Sequence, residues 1–95
     1  MNQTKTTHAS VTLDDGSTVA LHINHDKVSH LKAESVLEEI ADPEGPNQSE
    51  AVRMALCTQA GVSVPSDALE QLTAAWGVSD SEAVRESLRR YEVDS

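Results

Sequence analysis

Two stretches of this 95-residue chain align without a gap at an offset of 32: VLEEIADPEGPNQSEAVRMAL at 36–56 and ALEQLTAAWGVSDSEAVRESL at 68–88. Nine of the 21 positions are identical: Leu37/Leu69, Glu38/Glu70, Gly45/Gly77, the pentads Ser49–Arg53 and Ser81–Arg85, and Leu56/Leu88. Ile40/Leu72 is a conservative match. A repeated segment of this size points to two like units, and 95 residues suffice for one small domain or for two very small units sharing a core.

Each copy reads as helix, turn, helix. In the second, Leu69, Leu72 and Trp76 recur at i, i+3 and i+7, one face of a helix. Gly77 stands where a helix ends in a left-handed residue, and Ser79-Asp80-Ser81-Glu82 is a capping box opening the next helix, whose inner face is Val84, Leu88 and Tyr91. In the first copy Val28, Leu31, Val36, Leu37 and Ile40 line a longer helix, stopped by Pro43 and Gly45. Asn47 caps the next helix with Glu50 in the matching place, and Val52, Ala55 and Leu56 face inward.

Ahead of the first copy, Val11 and Leu13 alternate with polar residues, as do Val19, Leu21 and Ile23, on either side of Asp14-Asp15-Gly16. A three-residue loop with Gly16 left-handed pairs Leu13 with Ser17 and Val11 with Val19. Val11, Val19 and Leu21 then share a buried face, and Thr18, Ala20, His22 and Asn24 lie opposite. Ahead of the second copy, Gly61-Val62-Ser63-Val64, stopped by Pro65, is a shorter candidate strand with Val62 and Val64 inward. Residues 1–8 read as a flexible tail, 9–60 as the hairpin plus the first unit, and 61–95 as the second unit.

With 38% apolar residues and 2% aromatics, the core is built from Val, Leu, Ile and Ala, and a second copy of the chain would add buried surface. Sixteen acids face seven Lys+Arg, a net charge of −9, with lysine only at 5, 27 and 32. Such a balance ordinarily argues against nucleic acid. It also suits a halophilic protein working near molar salt, where the Debye length is only ~3 Å and repulsion from phosphate is largely screened.

Cys57 is the only cysteine, so no intramolecular disulfide forms, which suits the cytoplasm. No apolar run is long enough to span a bilayer, and Met1–Thr7 lacks the apolar stretch of a signal peptide. His22, His25 and His30, even with Cys57, lack a zinc-ligand spacing and read as surface or capping histidines. Cys57 reads as a small packing residue with no base beside it, and Trp76 as core. Asp26 and Glu34 read as a solvated face. With no phosphate-cradling glycine loop and no nucleophile elbow, neither an enzyme nor a metal or other cofactor is expected. Arg85, Arg89 and Arg90 form the one dense basic cluster; Arg85 and Arg89 stand three residues after Glu82 and Glu86, in ion-pair range along a helix, while Arg89 and Arg90 are also placed to touch a nucleic-acid backbone.

Residues 61–91, with an alternating strand, a proline, a Leu-x-x-Leu helix, a Gly-Val-Ser turn and Ser-Glu-Ala-Val-Arg-x-x-Leu-Arg-x-Tyr, resemble the ribbon-helix-helix superfamily of Arc, MetJ and CopG-type regulators. Residues 18–58 resemble the same unit with a longer first helix. The resemblance implies a mainly α fold with short β-strands: an N-terminal β-hairpin plus two tandem ribbon-helix-helix-like units, each β-α-α. It implies strands paired into a ribbon that enters the major groove of double-stranded DNA, with Thr18, His22 and Asn24 from the first unit and Gln59 and Ser63 from the second reading bases. It implies phosphate anchoring at the second-helix starts, Asn47, Gln48 and Ser49, and Ser79 and Ser81. Gly61 and Ser63 are a poor reading face, and Asp80 would repel a phosphate beside it. The two units pair either within one chain or between chains, with a homodimer slightly favoured. The expectation is a small sequence-specific DNA-binding repressor or autoregulator on a short inverted repeat. The alternative is an antitoxin-like module of the same fold that contacts a protein partner.

Overall fold

A computed structural model describes residues 6–41 and 47–91. The order is β1 (Thr6–Thr12), β2 (Thr18–Asn24), α1 (Val28–Ile40), α2 (Gln48–Ala60), α3 (Pro65–Trp76) and α4 (Asp80–Arg90).

The hairpin forms in the expected register, Val11 opposite Val19, and the Leu13 amide donates to Ser17 O at 2.8 Å. Gly16 takes a φ of 86°, and the Asp15 carboxylate accepts both the Ser17 amide (3.0 Å) and hydroxyl (2.6 Å). Val11, Leu13, Val19, Leu21 and Ile23 are buried beneath the helices. Strand β1 starts at Thr6, inside the stretch assigned to the tail.

Both second helices are capped as their sequences indicate. Asn47 Oδ1 accepts from Glu50 N (2.8 Å) and Ser79 Oγ from Glu82 N (3.2 Å). Gly61 and Gly77, at φ 72° and 65°, close α2 and α3 in the left-handed region that a side chain would resist. Helix α3 has Pro65 in its first turn, and its cap residue, Val64, has no side-chain acceptor. The missing acceptor comes from the hairpin loop: Asp14 Oδ1 takes the Ser66 amide at 2.8 Å.

Two expectations are corrected. Residues 61–64 form no strand: α2 runs to Ala60, Gly61 reverses the chain, and α3 begins four residues later. Val62 packs partly on the core but Val64 is exposed. In α1 the buried stripe is His30, Ala33, Val36 and Leu37, whereas Val28 and Leu31 are exposed, Val28 at 82%. The helix is rotated so that the small Ala33 faces inward, letting it lie close against α4. Helix α1 ends at Ile40; Pro43 and Gly45 lie outside the described residues.

The packing follows the repeat. Helix α1 lies on α4 and α3 on α2; α2 and α4 meet each other; β1 contacts α2 and β2 contacts α4. Exchanging α1 with α3, α2 with α4 and β1 with β2 reproduces this set of contacts, apart from a direct α1–β2 packing. The end of β2 runs covalently into α1, whereas the end of β1 meets the start of α3 through the Asp14–Ser66 bonds. Asp14, in the hairpin loop, thus links the hairpin to the start of α3, where residues 61–64 form no strand. One continuous core draws on both copies, with Val52 and Leu56 from the first and Val84 and Leu88 from the second fully buried.

Candidate nucleic-acid interface

In an antiparallel pair, alternate residues turn their N–H and C=O away from the partner strand. Because the Leu13 amide donates to Ser17 O, the outward-turned residues here are Thr12, Ser10, His8 and Thr6 on β1 and Thr18, Ala20, His22 and Asn24 on β2. These groups form the open edges of the ribbon, and the repeated pentad clamps one residue on each edge. On β1, Ser49 Oγ accepts the Thr12 amide (3.0 Å) and Arg53 Nη1 donates to the Thr12 carbonyl (2.6 Å). On β2, Ser81 Oγ accepts the His22 amide (3.3 Å) and Arg85 Nη1 donates to the His22 carbonyl (2.6 Å). One sequence element, Ser-x-x-x-Arg, makes the same two bonds to opposite edges. Spaced at i and i+4, both side chains leave the same helix face and span one residue's amide and carbonyl.

The two clamps are unequal. Arg85 is 8% exposed, and its guanidinium also donates to Ser81 Oγ (2.7 Å) and to Glu82 Oε1 (2.8 Å). Arg53 is half-buried. Further along the β2 edge, the Asn24 amide donates to His30 Nδ1 at 3.0 Å. Burial, then the Arg85 charge, holds the His30 pKa below its ordinary value, so the ring stays neutral and Nδ1 stays an acceptor.

Among the described residues, nothing is packed over one face of the ribbon. Its side chains are Thr6, His8, Ser10 and Thr12 beside Thr18, Ala20, His22 and Asn24; all are exposed except the half-buried Asn24. In a chain of net charge −9 this face has no carboxylate. His8 and His22 stack across the strands with ring centroids 4.9 Å apart. Asn24 is partly committed, its Oδ1 accepting the Asp26 amide at 2.9 Å.

The starts of α2 and α4 lie against the two edges of this face, so Asn47, Gln48 and Ser49 flank one side and Ser79 and Ser81 the other. Ser49 and Ser81 use their hydroxyls as acceptors toward the hairpin, which leaves each hydroxyl proton to give. Glu50, Asp80 and Glu82 share the same helix starts.

Gln59 and Ser63 are not brought to the ribbon. Gln59 sits in the last turn of α2 and Ser63 in the connection to α3, because the strand that would carry them does not form. Strand β1 instead supplies His8, Ser10 and Thr12. The alternation that marked β2 marks these residues equally. The edge clamp was signalled by the repeated pentad, although its partner atoms belong to the tertiary fold.

Arg85 and Arg89 pair with Glu82 and Glu86 as their spacing suggests. Arg90 bonds Glu86 (2.6 Å) and lies over the half-buried Trp76 ring at 4.8 Å. His25 Nε2 is 2.8 Å from Thr7 Oγ1 and 3.4 Å from Glu34. Burial pushes the Cys57 thiol pKa up. No helix among the described residues is long and apolar enough to cross a membrane. No family model, curated protein or solved structure matches the chain.

Proposed function

We propose that this protein is a small sequence-specific DNA-binding regulator of ribbon-helix-helix type. The observation that carries the reading is the bare, carboxylate-free ribbon face with a helix start held against each edge. A two-stranded ribbon matches the ~12 Å width of the major groove. With the ribbon there, His8, Thr12, Thr18 and His22 face base edges, and the first amides of α2 and α4 face the flanking phosphates. Glu50, Asp80 and Glu82 oppose the phosphates, so binding on this reading belongs to high salt, where their repulsion is screened.

The test is a fluorescence titration of the full chain against duplexes from its own upstream region across KCl concentration. The expected result is preference over random duplex in molar KCl, relaxed by about 1–3 kcal/mol in His22→Ala. Equal affinity for all duplexes at every salt refutes it. The same carboxylates at the helix starts favour a second reading, an antitoxin-like module docking on a basic protein surface. A co-purifying protein partner without protected DNA is its signature.

A further inference from the structure

The hairpin and the repeat together define an approximate dyad. The bonds of Ser49 and Arg53 to Thr12 match those of Ser81 and Arg85 to His22, so residue 12 of β1 corresponds to residue 22 of β2. The same offset takes Ser10 to Ala20 and His8 to Thr18. Ser10 and Ala20 are also paired across the ribbon, so the dyad passes between them. The helices and clamps obey it. Buried positions obey it in character, with Val11 matching Leu21 and Leu13 matching Ile23.

The bare face breaks it. His8 pairs across the strands with His22, and Thr12 with Thr18. Both imidazoles therefore lie toward one end of the ribbon, with Thr6 and Asn24 beyond them, and Thr12 and Thr18 lie at the other, with Ser10 and Ala20 between. A dyad-symmetric ribbon would carry the same side chain at 12 and 22, and at 8 and 18. The scaffold is close to symmetric where it is held, apart from the α1–β2 packing, and asymmetric on its exposed face. A second chain is not needed to complete the ribbon, since its two strands already pair with each other within the chain.

Resting on the DNA-binding reading above, we infer that one chain is a complete reading unit whose target duplex lacks a dyad. The histidine end and the threonine end specify unlike half-sites. Imidazoles present ring N–H donors and acceptors to base edges, whereas threonines present a hydroxyl and a methyl group suited to the thymine methyl. Reversing one half-site costs roughly 10- to 100-fold in affinity.

The experiment is selection of the full chain on random duplexes in molar KCl, followed by sedimentation of the complex on the selected site. The expected result is a consensus without inverted symmetry, bound by one chain. The double variant Thr12→His/Thr18→His, at two exposed positions, gives both ends the same side chains and shifts the consensus toward an inverted repeat. An inverted-repeat consensus for the unaltered chain, or two chains on the minimal site, overturns the inference while leaving DNA binding standing. No enrichment at any salt overturns DNA binding and the inference with it. Circular dichroism of the variant verifies its fold, and the unaltered chain's consensus and stoichiometry decide the matter by themselves.

Discussion

Replacing Arg85 by methionine keeps most of the side chain's apolar bulk and removes three hydrogen bonds, to His22 O, Ser81 Oγ and Glu82 Oε1. Hydrogen bonds to charged groups contribute about 1.5–3 kcal/mol each when buried, and removing one partner of a buried pair costs about 3–5 kcal/mol. Two features reduce this. Glu82 is 33% exposed and can turn to water, and Arg89 stands 3.5 Å from its other oxygen. Burying the guanidinium also had a cost, since Arg85 Nε is buried without a partner. The net expectation is a loss of about 2–3 kcal/mol, chiefly from the His22 carbonyl, since Ser81 Oγ keeps the His22 amide. Arg53 is the internal comparison. It makes the corresponding bond to Thr12 O at the same 2.6 Å but is half-buried, so Arg53→Met should cost about 1 kcal/mol. Urea unfolding at fixed KCl measures both. With a slope near 1 kcal/mol/M for a chain of this size, the Arg85 variant's midpoint falls by about 2–3 M and the Arg53 variant's by about 1 M. Equal shifts, or a loss below about 0.5 kcal/mol for Arg85→Met, would refute the claim that burial separates the two clamps.

Ser87 is fully buried with no partner for its hydroxyl among the described residues, and the equivalent residue of the first copy is the equally buried Ala55. Ser87→Ala should therefore stabilise the fold by about 1 kcal/mol in thermal unfolding; a lower midpoint would reveal a partner for the hydroxyl. His30 has a folded pKa below its ordinary 6.5, so the unfolded chain takes up its proton first. The stability owed to neutral His30 is complete above that value and drains away as pH falls through it toward the folded pKa. Unfolding midpoints between pH 7.5 and 5 should drop less steeply in His30→Gln than in the unaltered chain. With its pKa above the ordinary 9.0, Cys57 should be alkylated by iodoacetamide at pH 8.5 far more slowly in the native protein than in urea. On the halophilic reading of net −9, stability rises from low to molar KCl, and a salt-independent midpoint counts against it.

Local chemistry made several features legible in the sequence. Strict alternation set the hairpin's buried face, and Asp14-Asp15-Gly16 its register, because only a left-handed third loop residue closes that turn. Asn47 and Ser79 capped their helices, and Gly77 ended one, for equally local reasons. The candidate site was half legible: Thr18 and His22 followed from the period of two, and His8, Ser10 and Thr12 were there by the same rule.

Gln59 and Ser63 failed because four residues between two helices are too few for both a chain reversal and a strand. Similarly, the apolar positions of α1 include Val28 and Leu31, yet the stripe that turns inward is His30, Ala33, Val36 and Leu37, set by how α1 packs on its neighbours. The repeat announced two equivalent units by itself. That their Ser-x-x-x-Arg segments clasp opposite edges of one hairpin, and that β1 reaches α3 through Asp14 rather than through the chain, was decided only by the tertiary structure. Hydrogen-bond partners 37 to 63 residues apart answer to packing, which no local pattern encodes.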